Sequence, residues 1–445
     1  MRAIPLILLA TSFLPVFAQS AGDEPVTVSA DHPRLFLRPQ RLRLLRREKD
    51  RESMRWQQFA ALVTGNAPMP EHGFALGLYY QVSGDANAGK DAAAWALTPE
   101  ADLRQMALIY DWCQEVMTPA QKTALARRMT QALASAPPEG IAETRSRALA
   151  AIALFDEVPQ VPQRELERIV HAWWKDRVAR GVPRDDAYAL YELLHAVRDT
   201  TIIELRDCCR QFFKDFPIEH LMSYYPAEFE GPDTRYFIGA EPKIAQPDLR
   251  LASLSRAAEL ALVAYDVNAA ESQVIQGWLM HDKFILKSPF GAPYEFLWAN
   301  PYLPGLSFFH VPLVYHNPEN GHLFIRSSWE ESATWFGYWD GATQLFQDGK
   351  LKALAAKSGD APLSLEQAVV CFAKAGSKFR VKLGEEEDAV FLVGLEPRRA
   401  YEVEIDDEEM YEATSDPGGI LMLEVPKGKE TGFRFRPSSA TAAAQ

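Results

Sequence analysis

The sequence is short of cysteine and of the patterns through which cysteine does chemistry. It holds four, Cys113, Cys208, Cys209 and Cys371. No C-x-x-C pair and no Cys/His cluster has zinc spacing, so no metal site is expected. There is no Walker loop, no dinucleotide-binding glycine motif, no H-E-x-x-H and no G-x-S-x-G, and no cofactor is expected. Basic residues are the minority, 47 Lys and Arg against 60 Asp and Glu, for a net charge of −13. That balance argues against a general affinity for nucleic acid or anionic membrane. It leaves an acidic polysaccharide open as a ligand, because a basic cleft can sit on an acidic protein. Beyond residue 18 no apolar run approaches the roughly 20 residues of a spanning helix. No histidine follows His322.

What is present begins with an export signal. Met1-Arg2 is a short basic start, Ile4 to Phe17 an apolar core, and Val16-Phe17-Ala18 before Gln19 reads as a cleavage site. Residues 1–18 are therefore expected to be a signal peptide, and the protein periplasmic or secreted. Export permits a disulfide, for which Cys113 with Cys208 or Cys209 is one pairing, although buried thiols are the plainer reading. The length of 445 residues suits two or three domains, and an aromatic content of 11% supplies a large core with rings to spare for sugars.

The first two thirds read as helix. Arg41 to Ala61 is rich in Leu, Arg, Glu and Gln. Leu103, Met106, Ala107, Tyr110 and Cys113 recur with the spacing of one buried helix face. Pro99 after Thr98 predicts a helix start. Thr118-Pro119-Ala120-Gln121 is a capping box with proline at the first helical position. Further helices are predicted at about 141–155, 162–179, 186–198, 201–214, 249–265 and 268–281. Many helices with short connections build a solenoid or a toroid, and no fixed repeat favours the solenoid. Residues 215–248, with five prolines and a tyrosine-rich segment, interrupt the pattern as a long loop.

After Asp282 glycine, proline and aromatics increase. Short strands are predicted at Ser307–Tyr315, Leu323–Arg326, Ala333–Trp339 and Thr343–Phe346, with a turn at Asn317-Pro318-Glu319-Asn320-Gly321. From about 367 only strands are predicted. The expected fold is multidomain α and β: an incomplete (α/α) toroid at 30–281, an antiparallel β-sandwich at 282–365, a small terminal β module at 366–436 and a disordered tail at 437–445.

Three segments carry a resemblance. Asp31-His32-Pro33-Arg34-Leu35-Phe36-Leu37-Arg38-Pro39 resembles the entry motif of the heparinase II/III-like polysaccharide lyases. Ala107-Leu108-Ile109-Tyr110-Asp111-Trp112 with Thr118-Pro119-Ala120-Gln121-Lys122 is similar to a helix pair of their toroid. Phe324-Ile325-Arg326-Ser327-Ser328-Trp329, then Ser332-Ala333-Thr334-Trp335, is similar to the strand pair that opens their β-sandwich. The resemblance implies an exported enzyme that cleaves a uronic-acid-containing polysaccharide by β-elimination. One departure stands out. The family's His-x-His element is replaced by Asp340-Gly341-Ala342-Thr343. A non-catalytic glycan-binding or cell-envelope protein on the same fold is therefore the alternative, with an α/α-toroid glycoside hydrolase as a third reading.

β-Elimination needs a group to neutralise the uronate, a base for the C5 proton and an acid for the leaving oxygen. Tyr188, Tyr191, Glu192 and His195 share one helix face, where His195 or a tyrosine is a candidate base; a packed core stripe has the same spacing. Arg235 and Tyr236, in the loop segment after Gly231-Pro232, are a candidate carboxylate clamp and acid or base, against a surface turn with a packed tyrosine. Arg326, near His310, His316 and His322, is a further candidate for the uronate. His310, Trp298 and Trp335 are candidate substrate contacts, although most such tryptophans fill cores. For hydrolysis the candidates are Asp185 and Asp186, with Asp111 or Glu228 as a partner.

Overall fold

Helix-forming sequence runs as far as Trp298, and caps and breakers decide where it is cut. The computed structural model describes residues 25–158, 160–179, 181–231, 235–243, 248–282, 286–354, 361–372, 378–384, 389–407 and 409–438. The predicted signal peptide, Asp233-Thr234, the acidic run 385–388 and most of the predicted tail lie outside them.

The helix expected over 41–61 is two, α1 (Pro39–Asp50) and α2 (Met54–Thr64). The Ser53 hydroxyl accepts the Trp56 backbone N–H at 3.3 Å and caps the second. Next come α3 (His72–Ser83) and α4 (Ala86–Trp95), joined through Gly84 at φ +80°. The sequence reading missed both, because α3 is apolar on most of its surface and α4 is built largely from alanine, so neither shows a stripe. Helix α5 (Leu103–Trp112) starts at the Asp102 cap rather than at Pro99. Helix α6 (Pro119–Ala134) has the complete capping box of Thr118 and Gln121.

Then follow α7 (Ile141–Leu154), α8 (Gln160–Glu167), a π-helical turn Arg168–Trp173, and α9 (Trp174–Ala179). Helix α10 (Ala187–Thr201) leads through the 3₁₀ turn Leu205–Cys209 into α11 (Arg210–Met222). The series ends with α12 (Leu249–Tyr265), α13 (Ala270–Asp282) and α14 (Ala292–Trp298). Helices α3, α5, α7, α10, α12 and α14 pack each against the next, and α14 returns to α2 and α3. Helices α4, α6, α8 and α13 flank them. Helix α14 lies past residue 281, yet it packs with the helices: Phe296 stacks on Phe59 at 5.2 Å and Tyr294 meets Tyr188 edge-on at 4.8 Å.

The entry segment docks on α5. Asp111, fully buried, accepts the backbone N–H of Arg34 at 3.0 Å and of Leu35 at 2.8 Å, and contacts His32 Nδ1 at 2.5 Å. The Trp112 indole donates to the Leu35 carbonyl at 2.9 Å. Two of the segments singled out by sequence thus hold one another.

The long loop carries a two-strand hairpin, β1 (Phe229–Glu230) and β2 (Arg235–Tyr236). Beyond the helices, β3 (Val314–Asn317), β4 (His322–Arg326), β5 (Trp335–Trp339), β6 (Ala342–Gln347) and β7 (Lys350–Ala353) form an antiparallel meander. Part of the strand predicted at 307–315 is a 3₁₀ turn, Phe308–His310, and the strand starts at Val314. The remaining strands are β8 (Leu363–Ser364), β9 (Ala368–Phe372), β10 (Lys378–Lys382), β11 (Ala389–Val393), β12 (Ala400–Ile405), β13 (Glu409–Thr414), β14 (Leu421–Leu423) and β15 (Glu430–Pro437). They make two four-stranded sheets, β14-β11-β9-β8 and β10-β15-β12-β13. Strand β15 runs one residue into the segment expected to be tail, Pro437 pairing with Tyr401.

These sheets stack in three layers rather than as a sandwich plus a separate module. Leu323, Ile325 and Phe336 of the meander pack on Val370, Phe391 and Val393 of the middle sheet. The opposite face of the middle sheet, with Val369, Cys371, Val390 and Leu392, packs on Phe379, Val403, Phe433 and Phe435 of the outer sheet. A sheet covered on both faces has no polar side, which is why β9 and β11 are unbroken apolar runs with every residue buried. Their pairing is parallel, the exception to the antiparallel expectation. The alternate residues of the meander, Phe324, Trp335, Trp339 and Phe346, join the core of the helices.

Candidate functional site

The four residues predicted to share a face do lie on α10, with Tyr188 and Tyr191 3% exposed and Glu192 and His195 fully buried. Glu192 is the anchor of an ionic network inside the helices. Its Oε1 accepts from Arg104 at 2.6 Å and from the Tyr188 hydroxyl at 2.6 Å, and Arg145 donates to Oε2. Arg104 also reaches Glu71 at 2.9 Å. Burial alone would raise the Glu192 pKa; the two guanidiniums and the tyrosine outweigh it and hold the carboxyl below the usual range. Tyr191 points to a different place, against Phe216 at 5.9 Å.

His195 donates from Nε2 to the Ala261 carbonyl at 2.9 Å, and its buried Nδ1 faces Asp199 at 3.9 Å, beyond hydrogen-bond distance. Burial pushes its pKa down, against the opposing pull of Asp199. It lies 4.4 Å from the ring of Trp298, whose indole donates to the Tyr188 hydroxyl at 3.1 Å.

Trp298 links this interior to the surface, where it floors an open cleft of about 930 Å³ between α1 and the ends of α10, α12 and α14. The cleft is lined by seven arginines and two carboxylates. Arg41, Arg43 and Arg47 come from α1, Arg38 and Arg51 from its two ends, Arg55 from α2 and Arg198 from α10. The local cause is simple: Leu42 and Leu45 turn the apolar side of α1 inward, which leaves its arginines on the other side. Arg41 covers Trp298 at 4.5 Å and donates to the Leu297 carbonyl at 3.2 Å. Cations at the C-terminal end of a helix meet its negative end, which stabilises this placement.

Arg55 pairs with Glu48 at 2.9 Å, and Arg198 with Asp199 at 3.2 Å. Among the described residues Arg41, Arg43, Arg47 and Arg51 have no carboxylate within ion-pair distance. Burial, with Arg198 adding repulsion, lowers Arg41 to about 10. Burial would raise Asp199, but His195, Arg198 and Arg41 hold it at about 2. The cleft is a preformed electropositive surface with an aromatic floor. Eight arginines between Arg34 and Arg55 were the sequence signal for it, and the reading of that stretch as helix formers passed over them.

The other predicted residues are elsewhere. Tyr236 is 3% exposed, while Arg235 is exposed and pairs with Glu228 at 3.3 Å. Arg326 is 3% exposed and packed over Trp329 at 4.4 Å, donating to the carbonyls of Tyr224 at 2.9 Å and Ser328 at 3.3 Å. Burial lowers its pKa to about 9. Trp335 is completely buried between sheet and helices, with its indole on the Met222 carbonyl at 2.8 Å. His310 is exposed on the 3₁₀ turn before β3. Asp111 is committed to the entry segment. Burial, then Asp185, raises Asp186.

Two further polar clusters were not anticipated. Glu259 of α12 accepts from His220 at 3.0 Å and Tyr224 at 2.7 Å, and Arg256 bridges it to Asp282. Burial pushes Asp282 up to about 6. Glu219 of α11 meets His322, Tyr315 and Asn320 of the meander. Among the described residues, no group of three or more His, Cys, Asp and Glu side chains is arranged to hold a metal ion. Nor is any helix long and apolar enough to cross a membrane.

No protein-family model and no curated protein matches this chain. Among solved structures, it is similar to a glycoside hydrolase at 9% identity, with 83% of this chain and 71% of that one covered and a TM-score of 0.31. It is also similar to a β-arabinofuranosidase of family GH127, at 11% identity, with 92% and 80% covered and a TM-score of 0.31. At that level of superposition the likeness decides neither fold nor activity. The chain is a protein of packed helices followed by stacked β-sheets, with an arginine-lined cleft on the helical part.

Proposed function

We propose that this protein binds an acidic polysaccharide, and that the arginine cleft beside α1 is its grip. The carrying observation is the charge of that cleft: seven arginines face two carboxylates on a chain whose net charge is −13. Clustering so much positive charge costs stability through self-repulsion unless an anion answers it. Guanidiniums match carboxylate and sulfate oxygens in bidentate geometry. Tyr302, 73% exposed at the rim, is a ring on which a sugar can stack. The closed order of helix packing supports the toroid form of the fold.

Binding is the activity this geometry supports best, which favours the non-catalytic glycan-binding reading over turnover. Asp199, held at about 2, is too weak a base for a C5 proton. Glu48 is engaged by Arg55. β-Elimination is kept as a second reading on one observation, the His195–Asp199 pair behind Trp298, with Nδ1 3.9 Å from the carboxylate.

The test is calorimetric titration of the purified protein with heparan sulfate, chondroitin sulfate, hyaluronan, alginate and pectate, with ultraviolet absorbance of unsaturated uronate followed in parallel. Binding that weakens with salt, without absorbance, supports a binding protein. Rising absorbance supports the lyase. No binding to any of them overturns the proposal.

A further inference from the structure

A second cleft, of about 260 Å³, has Tyr265 and Asp266 in its wall, while their chain neighbours Ala264 and Val267 line the first. Tyr265 ends α12, and its ring carries two guanidiniums: Arg198, which lines the arginine cleft, at 3.7 Å from the ring centroid, and Arg206, which lines the second cleft, at 4.5 Å. The buried Tyr265 ring, 5% exposed, therefore links an arginine of one cleft to an arginine of the other. Tyr265 is held there by its hydroxyl on Glu204 at 2.9 Å and by Arg198 on its carbonyl at 2.6 Å.

The chemistry of the two differs. In the arginine cleft four guanidiniums lack a carboxylate among the described residues. In the second cleft Arg206 pairs with Glu204 at 3.1 Å and Asp266 at 3.2 Å, and Arg210 pairs with Asp207 at 2.8 Å. With Glu204, Asp207, Asp266 and Glu271 against Arg206, Arg210 and Lys214, this lining offers donors and acceptors side by side with no net demand for an anion. Such a wall suits vicinal hydroxyls, and Tyr191, Phe213 and Leu262 add apolar surface for a sugar ring.

Resting on the acidic-polysaccharide reading, we propose that one extended chain spans both clefts past Arg198 and Arg206, its anionic units in the arginine cleft and a neutral sugar unit in the second. The ligand class is then a polysaccharide in which acidic and neutral sugars alternate, rather than a homopolymer of uronate. Joining two weak subsites through one ligand raises affinity without any new contact at either, as long as the ligand is long enough to reach both.

The experiment titrates hyaluronan oligosaccharides of increasing length, from disaccharide to decasaccharide, and oligogalacturonates of matching lengths. The expected result is an affinity for hyaluronan that climbs about ten-fold or more once the chain reaches the second cleft, and a smaller gain for the homopolymer. A double variant Arg210→Ala/Lys214→Ala and a filling variant Ala269→Trp reduce the affinity of the long chain to that of the short one and leave the short one unchanged. Arg210 and Lys214 are exposed, so their replacement leaves the fold intact. Affinity independent of length, or an equal gain for the homopolymer, overturns this inference while leaving the arginine cleft standing. Absence of binding at every length overturns both.

Discussion

His322 and Glu219 bind the meander to the helices: His322 Nδ1, on β4, lies 2.6 Å from Glu219 Oε1, on α11. Asp340 approaches the other ring nitrogen at 3.3 Å. Burial lowers the His322 pKa, and Asp340 and Glu219 more than reverse this, raising it to about 9 from an ordinary 6.5. A histidine whose pKa rises on folding contributes stability that is complete below its unfolded value and lost as pH climbs through its folded value. The stabilising effect of this pair is therefore full below pH 6.5 and fades towards pH 9. His322→Gln is expected to cost about 2 kcal/mol at pH 6, allowing for partial exposure, and almost nothing above pH 10. Urea unfolding at a series of pH values reads this out; a deficit that does not change with pH contradicts it.

Glu192 is the single fully buried carboxylate that answers both Arg104 and Arg145. Glu192→Gln keeps the shape and removes the charge, leaving Arg145 without its buried carboxylate and Arg104 with Glu71 alone. A loss of about 3–5 kcal/mol is expected, the range for breaking a buried ion pair from one side. Denaturant unfolding measures it, and a loss below about 1 kcal/mol would mean that water reaches the network.

Arg43 and Arg47 are exposed on α1 and have no carboxylate partner among the described residues. Arg43→Glu/Arg47→Glu should lower affinity for an acidic polysaccharide at least ten-fold, about 1.4 kcal/mol, with the fold retained and the self-repulsion of the cleft relieved. The wild type should lose affinity steeply between low and physiological salt, since exposed charges are screened over about 10 Å at 0.1 M. If the variant binds as wild type does, the grip lies elsewhere.

The four thiols are free and fall into two classes. Cys113 and Cys371 are buried in the helical and sheet cores, where burial pushes both up to about 12. Cys208 is exposed beside Cys209, with the sulfurs 3.1 Å apart. A colourless-to-coloured thiol reagent should titrate the native protein quickly at Cys208, with Cys113 and Cys371 reacting only after unfolding. Fast reaction of all four would mean that the cores open.

Much of the architecture was legible because it is written in short-range physics. The capping box at Thr118 and Gln121 closes within one helical turn, so three residues of separation decide it. The unbroken apolar runs of β9 and β11 announced strands, and the turn 317–321 announced the hairpin of β3 and β4. Helix α14 was lost in the Gly- and Pro-rich texture after Asp282, and its place among the helices comes from contacts with Phe59 and Tyr188, far away in the chain.

The candidate site divides in the same way. By itself the sequence determined that Tyr188, Tyr191, Glu192 and His195 share a helix, because helical spacing is a local property. It also determined that α1 carries arginines opposite Leu42 and Leu45. Only the tertiary structure decided that the row on α10 turns into the interior while the arginines line a cleft. It did so because the ends of α10, α12 and α14 bring Arg198, Ala264 and Trp298 to face α1 across a gap that no single stretch of sequence spans.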